Sequence, residues 1–428
     1  MIKRIVFAMV LVVMGYGVKA EGFAVNLQGN KQVGMGHVGT AISWDASCMQ
    51  FNPGALAMLK NKISLSVGGS FTFTTTKFDS NNLENIEKSD NPVGTPFYFY
   101  GSYKVCDDLA VGLGVYTPFG NSVEWGKDWS GKYLMQDITL QSFYIQPTIS
   151  YRLADWVSVG AGLNVVYGSY DLNKAVPTGT IPAGAVNLSG SAVKFGYNVG
   201  VYLQPTDQLS LGISYRSKVD MTVDDGDAEF SNIPDNLPPI LAEVAVLSTS
   251  RKANGALPLP ASLNVGVAYQ INEKLLVSAD VNAVFWDAYE ELSFTFMPIG
   301  IPGVTEITVP SKRDWKNTLI YRLGAQYAAC EKLDLRAGIY YDQTPTNDQY
   351  YSPETPGANK VGVSAGFSYK VGEHLSVDAS LLYLKGDTQN TIDKNSPIGA
   401  DANGNVTYFG GEYKSHGWIP GIGITYNL

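Results

Sequence analysis

Two glycine-containing motifs have the spacing of loops that bind cofactors or activate a nucleophile. Residues 34–39 read GMGHVG, the G-x-G-x-x-G spacing whose backbone amides hold a dinucleotide pyrophosphate. Residues 362–366 read GVSAG, the G-x-S-x-G spacing of a nucleophilic serine. The first motif needs a buried strand before it and a helix after it, and the second needs a sharp turn from strand to helix. The residues before position 34 are polar and broken, and residues 362–366 lie in an alternating strand pattern, so neither chemistry is expected.

The first twenty residues predict an export signal. Lys3 and Arg4 precede an apolar run at residues 5–17, and residues 18–20 read VKA, a plausible cleavage site. The run is too short for a membrane-spanning helix. We therefore predict a signal peptide at residues 1–20 and a mature chain that begins at Glu21. The formal net charge of the full chain is −9, and this acidic balance argues against nucleic acid as a partner.

A recurring hairpin unit organises the rest of the chain. In each copy a tyrosine precedes a short polar turn, and an apolar residue follows six positions later. Five copies keep this spacing: Tyr103/Leu109, Tyr151/Val157, Tyr269/Leu275, Tyr327/Leu333 and Tyr369/Leu375. Residues 201–214 form a sixth copy with one extra residue. The repeat predicts β-hairpins with tight turns and an aromatic residue at each strand end.

The flanking strands alternate between an apolar face and a face of small or polar residues. In residues 318–327, for example, Tyr321 and Leu323 share one face, and Arg322 and Gly324 share the other. Long polar connections separate the tight turns, at residues 80–93, 120–136, 172–190, 221–260, 296–315, 343–358 and 385–414. Short turns at one rim and long loops at the other are typical of outer-membrane barrels. We predict an all-β fold, a transmembrane antiparallel β-barrel of about fourteen strands, over residues 61–428 in the bacterial outer membrane.

A barrel in this membrane is expected to contact outer-membrane lipid and lipopolysaccharide and to be inserted by the barrel-assembly machinery. A barrel enzyme, such as a phospholipase or a protease, is one alternative, and a surface adhesin or receptor that uses the long loops is another. The histidines, which are His37, His374 and His416, have no Ser or Asp partner at a convincing position. The cysteines, which are Cys48, Cys106 and Cys330, are odd in number and predict isolated thiols. We expect no cofactor and no metal.

The glycine-rich segment before the first strand, residues 21–60, has one natural location. A barrel of about fourteen strands is too wide to be filled by its own side chains. Small residues allow irregular backbone to pack against a wall, and polar side chains of the lumen can satisfy its amides. We therefore predict that residues 21–60 fold inside the barrel as a plug, with both chain ends on the periplasmic side.

The plug and several barrel segments resemble a known family. Residues 34–57 read GMGHVGTAISWDASCMQFNPGALA, and residues 111–133, 146–171, 314–327 and 341–356 add further matches in order. Together they resemble the FadL-type outer-membrane long-chain fatty acid transporters, which include aromatic-hydrocarbon channels. The resemblance implies a fourteen-stranded barrel with an N-terminal hatch, outside capture of hydrophobic substrates, an interior pocket, and sideways release at a kink in the third strand. No segment resembles an energy-coupling box, so diffusion down a gradient is expected.

The resemblance also suggests which residues form the sideways gap: Asn52, Pro53, Gly54, Gly112, Gly114 and Pro118. The first three stand where the hatch of the family has Asn-Pro-Ala. The other three lie in the predicted third strand at residues 109–120, where glycines have no side chain to pack and a proline cannot donate to the strand ladder. A local break in pairing is therefore expected. The alternative is that the glycines merely make room for the plug.

One long loop carries an apolar stripe at helical spacing, formed by Leu237, Ile240, Leu241, Val244 and Leu247. The stripe predicts a short amphipathic helix on the outer side of the barrel. The resemblance implies that this loop helps to form an external capture groove. Packing of the stripe against a neighbouring loop is the alternative.

A fatty acid carboxylate favours a cation inside the barrel. By strand alternation, the lumen-facing candidates for carboxylate binding are Lys194, Arg322 and Arg336. Their alternative role is to pair with acidic neighbours such as Asp334 or with the plug. Long-chain fatty acids are the first hypothesis for the substrate, and aromatic hydrocarbons, which need no cation, are the alternative.

Overall fold

The computed structural model of the protein describes residues 22–80, 86–179, 183–391, 396–400 and 406–428, with side chains for all of these except residues 240, 396–400 and 406–408. The predicted signal peptide lies outside the described residues. Within the described ranges, no helix has the length and apolarity needed to span a membrane.

Fourteen strands form a closed barrel, as predicted. Each strand pairs antiparallel with its sequence neighbour, and β1 pairs with β14 from Ser64↔Asn427 to Ser70↔Gly421, which closes the ring. The strands are β1 (Ile63–Ser70 and Phe73–Asp79), β2 (Phe97–Lys104), β3 (Leu109–Tyr116 and Gly120–Glu124), β4 (Asp137–Ala154), β5 (Val157–Val176), β6 (Gly184–Leu203), β7 (Leu209–Arg216), β8 (Ala261–Asn272), β9 (Leu275–Phe285), β10 (Thr318–Cys330), β11 (Leu333–Asp342), β12 (Lys360–Lys370), β13 (Leu375–Gly386) and β14 (Glu412–Asn427).

The predicted alternation places apolar residues on the outside of the barrel. In β10, the side chains of Tyr321 and Leu323 are 42% and 54% exposed, whereas Ile320 and Arg322 on the other face are 0% and 6% exposed. The hairpin tyrosines are also exposed on the outer face: Tyr103, Tyr151, Tyr269, Tyr327 and Tyr369. An apolar outer face with an aromatic girdle at its rim is the arrangement of a barrel that faces lipid.

The predicted plug segment, residues 22–60, forms hydrogen bonds with strands on several sides of the ring, among them Ser150 on β4, Asp280 on β9 and Ser364 on β12. It contains two helices of four residues, α1 (Asn30–Val33) and α2 (Cys48–Phe51), and a 3-10 helix at Pro53–Met58. Helices this short are not stable by themselves. Met49 and Leu56 are nevertheless fully buried, because barrel side chains surround them. The inner wall therefore helps to hold this segment in place, together with a small apolar cluster of Met35, Val38, Ala41 and Ile42 that packs on Ala268 of β8.

The six tight turns occur where the repeat predicts them, at residues 105–108, 155–156, 204–208, 273–274, 331–332 and 371–374. The connection predicted at residues 172–190 is shorter than expected, because β5 continues to Val176 and β6 begins at Gly184. The alternation continues there and buries Leu172, Val186 and Leu188 under the loops. The three cysteines are free, as predicted.

The other long connections carry secondary structure of their own above the outer rim. A four-stranded sheet, called the loop sheet below, consists of Thr222–Val223, Ala253–Ala256, Glu291–Phe296 and Ile307–Lys312. The remaining loop elements are short strands at Glu87–Lys88, Asp227–Ser231, Gln389–Asn390, Ser396–Ala400 and Val406–Phe409, 3-10 helices at Pro239–Leu241, Trp286–Ala288 and Asp348–Tyr350, and helix α3 at Ala242–Leu247. Val223, Gly255, Ala256, Leu292 and Phe294 of the loop sheet line the same cavity as Phe23 of the plug segment.

Candidate functional site

The two glycine-containing motifs meet each other in the lumen. The backbone amides of Gly39 and Thr40 donate to Oδ2 of Asp280 on β9, at 2.8 and 3.0 Å, and the Thr40 hydroxyl donates to the same atom at 2.9 Å. The amide of Gly36 donates to the hydroxyl of Ser364 on β12 at 2.9 Å. The glycine-rich loop therefore does hold an anion, but the anion is a carboxylate of the barrel wall. Ser364, the serine of the G-x-S-x-G motif, lies within strand β12 and accepts a hydrogen bond from the plug.

The inner wall carries glycines at the points where the plug backbone comes closest. At these points, glycines on neighbouring strands pair with each other: Gly160↔Gly200, Gly212↔Gly266 and Gly324↔Gly338. A Cβ atom at any of the six positions would lie closer than 3.0 Å to a plug atom, which real Cβ atoms do not tolerate. The barrel wall is therefore shaped to the backbone of this particular plug, and a side chain at these positions would exclude it.

Replacing the Asp280 carboxylate tests how firmly this contact holds the plug. We expect Asp280→Asn to weaken plug docking by about 1–2 kcal/mol, because hydrogen bonds to charged acceptors contribute about that much more than neutral ones. The measurement is the rate at which added protease cleaves the plug in folded, detergent-solubilised barrels, which should rise roughly tenfold. Ser364→Ala, which removes a single neutral acceptor, should have a smaller effect. Equal rates in the wild type and both variants would contradict the prediction.

The Asn-Pro-Gly motif lies mainly against β4 to β6, and the 3-10 helix that it begins also contacts the third strand, where Leu56 packs against Gly112. Asn52 Nδ2 donates to the carbonyl oxygens of Thr40 and Val201, at 3.0 and 2.9 Å. The carbonyl oxygen of Gly54 accepts from Ser150 Oγ at 3.0 Å and Ser158 Oγ at 2.6 Å. The polar groups that satisfy this motif, and the Gly160↔Gly200 pair that admits Pro53, are on these strands. That the motif forms part of the gap stays a prediction. Its structural role is to anchor the plug.

The third strand is broken at residues 117–119, beyond its two glycines. Gly112 and Gly114 pair normally with β2 and β4 on both sides, so the break predicted there is wrong. A Cβ at Gly112 would clash with Met49 of the plug, which supports the alternative that these glycines make room for it. Pro118 does lie at the break. There, three residues of β3 oppose two of β4, because the register changes between Tyr116↔Tyr144 and Gly120↔Gln141.

On the β2 side of this break, the first residues of the plug take the place of a strand. Val25 N donates to the Pro118 carbonyl at 2.7 Å, and Gly120 N donates to the Phe23 carbonyl at 3.0 Å. Ala24 and Phe119 form an isolated antiparallel bridge. No sequence motif predicts a role for these plug residues. Their only signal is the short apolar run at residues 23–25, which has no strand periodicity of useful length.

An apolar cavity lies between the plug and the loop sheet. Its lining is mostly aromatic and aliphatic, including Phe23, Phe119, Ile138, Leu140, Tyr170, Leu172, Met221, Leu257, Leu259, Tyr289, Leu292 and Phe294. Phe23, Phe119 and Gly120 belong to the break in β3, so the cavity reaches that break. The one acidic residue among its lining residues, Glu354, is ion-paired with Arg313 at 2.6 Å.

The three predicted carboxylate-binding residues have partners within the protein and do not line this cavity. Arg322 donates to Asn26 Oδ1 of the plug at 2.9 Å. Arg336 donates to Ser368 Oγ at 2.6 Å and lies over the ring of Trp44 at 5.1 Å. Lys194 lies 3.6 Å from the carboxylate of Asp224 in a loop. The structure therefore favours the alternative role, in which these cations hold the plug and the loops.

The predicted capture helix is present but short. The 3-10 helix at Pro239–Leu241 leads directly into α3, and none of the described side chains of α3 is fully buried. Val244 and Leu247 pack against the main apolar cluster, whereas Leu237 and Leu241 are partly exposed. The side chain of Ile240 lies outside the described residues. The stripe thus packs on its neighbours with one side and faces outward with the other.

Comparison with known proteins agrees with this fold. The chain is 28% identical to an outer membrane protein of Neisseria meningitidis serogroup B over 96% of its own length and 95% of the relative. It is 20% identical to the long-chain fatty acid transport protein of Escherichia coli K12, over 91% and 93% of the two chains. Its fold is similar to crystal structures of a Pseudomonas aeruginosa FadL homologue (TM-score 0.81, 19% identity, 95% and 99% covered) and of the Ralstonia pickettii toluene transporter TbuX (0.68, 19%, 94% and 98%).

The family profile described as outer membrane protein transport protein (OMPP1/FadL/TodX) matches residues 11–428. This match covers the plug, the broken third strand and the whole barrel. The chain therefore belongs to the OMPP1/FadL/TodX family of outer-membrane transport proteins for fatty acids and other hydrophobic compounds, and is a β-barrel of the bacterial outer membrane.

Proposed function

We propose that the protein is an outer-membrane channel for the passive uptake of hydrophobic molecules, with long-chain fatty acids as the first substrate class. The observation that carries this proposal is the apolar cavity between the plug and the loop sheet. Burial of an alkyl chain there contributes about 0.8 kcal/mol per methylene, so a long chain is drawn into the cavity without an energy source. A water-filled pore for sugars or ions does not fit a lumen occupied by residues 22–60.

The proposed route begins at the loops and ends at the break in β3. The partly exposed Leu237 and Leu241 beside α3 are the proposed point of capture. The far end of the cavity is covered by Phe23 and Phe119, whose ring centroids lie 6.0 Å apart. A molecule that displaces residues 23–25 would pass between β2 and β3 to the lipid-facing side. We also propose that lipopolysaccharide surrounds the barrel and that the barrel-assembly machinery inserts it into the membrane.

Aromatic hydrocarbons are the second candidate substrate class, and the cavity lining favours them as well. Its aromatic residues can pack against a planar ring, and no lysine or arginine is found among its lining residues. A neutral molecule therefore meets no unsatisfied charge in the cavity. The related barrel TbuX is described as a toluene transporter, which fits this second candidate.

A reversible disulfide across the break tests the function and the route together. Paired residues of antiparallel strands have Cα atoms about 4.5–5.5 Å apart, within the range that a disulfide bridges, so Ala24→Cys with Phe119→Cys should cross-link the plug to β3. Cys106→Ser and Cys330→Ser remove the two exposed native thiols. Uptake of labelled palmitate and toluene would be measured in cells without their own transporter, before and after reduction. We expect low uptake when the pair is oxidised and recovery on reduction.

The controls separate the two parts of the proposal. Each single variant, Ala24→Cys or Phe119→Cys, carries one of the two substitutions but cannot form the disulfide. Its uptake should therefore not change when oxidant is added. Unchanged uptake with a fully formed disulfide would exclude release through the break, while uptake itself would still stand. No uptake of either compound by the correctly assembled wild type would contradict the proposed function.

A further inference from the structure

A row of lysines crosses three strands at the outer end of the barrel. Lys77, in the second part of β1, is paired with Lys414 on β14 on one side and with Lys88 of the short strand Glu87–Lys88 on the other. All three side chains are exposed. The residue after Lys77, Phe78, is 0% exposed, because successive side chains of a strand point to opposite faces. The three lysines therefore project from the outer face of the barrel.

A fourth lysine lies beside this row. Lys385 on β13 is exposed and is paired with His416, which lies two positions along β14 from Lys414. Residues two positions apart on a strand share a face, so Lys385 and Lys414 are diagonal neighbours, about 7 Å apart. Together, the four residues are called the basic patch: Lys77, Lys88, Lys385 and Lys414.

The positive charge of the basic patch is largely uncompensated within the protein. Among the residues that the structure describes, Lys414 alone of the four forms an ion pair, with Glu412 at 2.8 Å. Like charges directly opposite each other on neighbouring strands destabilise a sheet. The chain as a whole is acidic, with a formal net charge of −9, so lysines opposite lysines are not a general feature of its surface. Their arrangement indicates that an anion from outside the protein balances them.

An aromatic row lies on the same outer face, on the membrane side of the basic patch. Trp418 on β14 is paired with Phe73 of β1 and with Tyr383 of β13. The ring centroids of Trp418 and Tyr383 are 4.4 Å apart, and Trp418 and Phe73 are 50% and 51% exposed. Aromatic residues with this exposure form the girdles of a barrel at the two membrane surfaces.

The length of β14 places this aromatic row at the outer membrane surface. Trp418 and Tyr426 are separated by about 20 Å along the barrel axis, at about 3.3 Å per residue and a strand tilt of about 40°. This distance is close to the apolar band of such barrels, which is about 25 Å tall. Ile422 and Ile424 lie between them and are exposed. The basic patch therefore begins where the head groups of the outer leaflet begin.

Cations precede acids along the strands that leave the membrane. Lys385 comes two positions after Tyr383, and Lys77 comes four positions after Phe73. The acidic pair Asp79↔Glu412 lies one step farther from the membrane than the pair Lys77↔Lys414. A lipid head group at this depth therefore meets positive charge first. Clusters of lysines next to a membrane attract anionic head groups.

We propose that the basic patch is a fixed binding site for the phosphate groups of lipid A, the membrane anchor of lipopolysaccharide. The acyl chains would lie below it against the exposed side chains of Leu381 on β13 and Ile422 on β14. The proposal goes beyond lipopolysaccharide as the surrounding lipid, because it assigns one site on the barrel surface. It rests on the location in the outer membrane and not on transport.

The test compares lipid A that carries both phosphates with lipid A from which they have been removed. Native mass spectrometry of the delipidated, detergent-solubilised barrel would measure the binding of each. EDTA is present so that Asp79 and Glu412 cannot hold the lipid through a divalent cation. We expect the wild type to bind the phosphorylated form more tightly. Glutamine at all four positions of the basic patch should lower that affinity about tenfold or more and change the affinity for the other form by less than about twofold.

Two further variants make the result specific to the basic patch. Arginine at the same four positions should keep the preference, because guanidinium groups bind phosphate well. The matched control removes four exposed lysines at the opposite end of the barrel, by glutamine at Lys60, Lys62, Lys274 and Lys332, and it should bind lipid A as the wild type does. Heat-modifiable mobility on gels checks that each variant is assembled.

Several outcomes would overturn the proposed site. Unchanged binding after glutamine replacement of the basic patch would exclude it, and so would equal losses in this variant and the matched control, which would indicate general charge attraction. Equal binding of both forms of lipid A by the wild type, or binding of neither, would exclude recognition of the phosphates. Displacement of lipid A by inorganic pyrophosphate at the same concentration would show a site for free phosphate and not for a lipid.

Discussion

Gly338→Val is expected to open the barrel to ions while leaving it assembled. A Cβ at Gly338 would lie within 3.0 Å of the backbone of Met35 and Gly36, and backbone cannot move aside as a flexible side chain can. Overpacking of this kind costs about 3 kcal/mol or more, which shifts the ratio of plugged to unplugged barrels roughly a hundredfold. The measurement is single-channel conductance in planar lipid bilayers, with heat-modifiable mobility on gels as the check of assembly.

Gly101→Val provides the matched control on the outer face. A Cβ at Gly101 would meet a methyl group of Leu65 at 3.2 Å, and that side chain faces lipid and can rotate. This variant should assemble and stay as closed as the wild type. A closed Gly338→Val barrel would show that the plug can shift away from β11, and the close fit at the glycine pairs would then not hold the plug.

Ala256→Trp is expected to lower uptake of a long-chain substrate by about tenfold or more. Ala256 is in the loop sheet and lines the cavity, so an indole there removes space that an alkyl chain would fill. Losing room for two methylenes costs about 1.6 kcal/mol of binding, which is more than tenfold in affinity. The measurement is initial-rate uptake of labelled palmitate at limiting concentration in cells without their own transporter.

The same substitution in an exposed turn controls for expression and assembly. Ala154 lies at the end of β4 near a tight turn and is exposed, so Ala154→Trp should transport as the wild type does. If Ala256→Trp also transports normally while it is fully assembled, the substrate does not pass through this cavity. The route proposed above would then be wrong at the cavity, between capture by the loops and release at the break.

The sequence motifs predicted where in the fold these residues lie better than they predicted which residues they contact. The Asn-Pro-Gly motif was correctly singled out in the plug, but it contacts β4 to β6 because Ser150 and Ser158 satisfy the Gly54 carbonyl there. The expectation of a broken third strand was right for Pro118 and wrong for Gly112 and Gly114. A proline removes a donor wherever it stands, whereas a glycine has several uses, and only the location of Met49 shows which applies at Gly112.

By itself, the sequence determined the barrel: its fourteen strands, its lipid-facing side and its tight turns. These follow from alternation and turn chemistry between residues that are close in the chain, so they are visible locally. The tertiary structure alone decided the contacts of the plug and the cavity. Gly39 and Asp280 are 241 positions apart, and Gly36 and Ser364 are 328 apart. Such pairs form only after the ring closes around the plug, and no local periodicity encodes them.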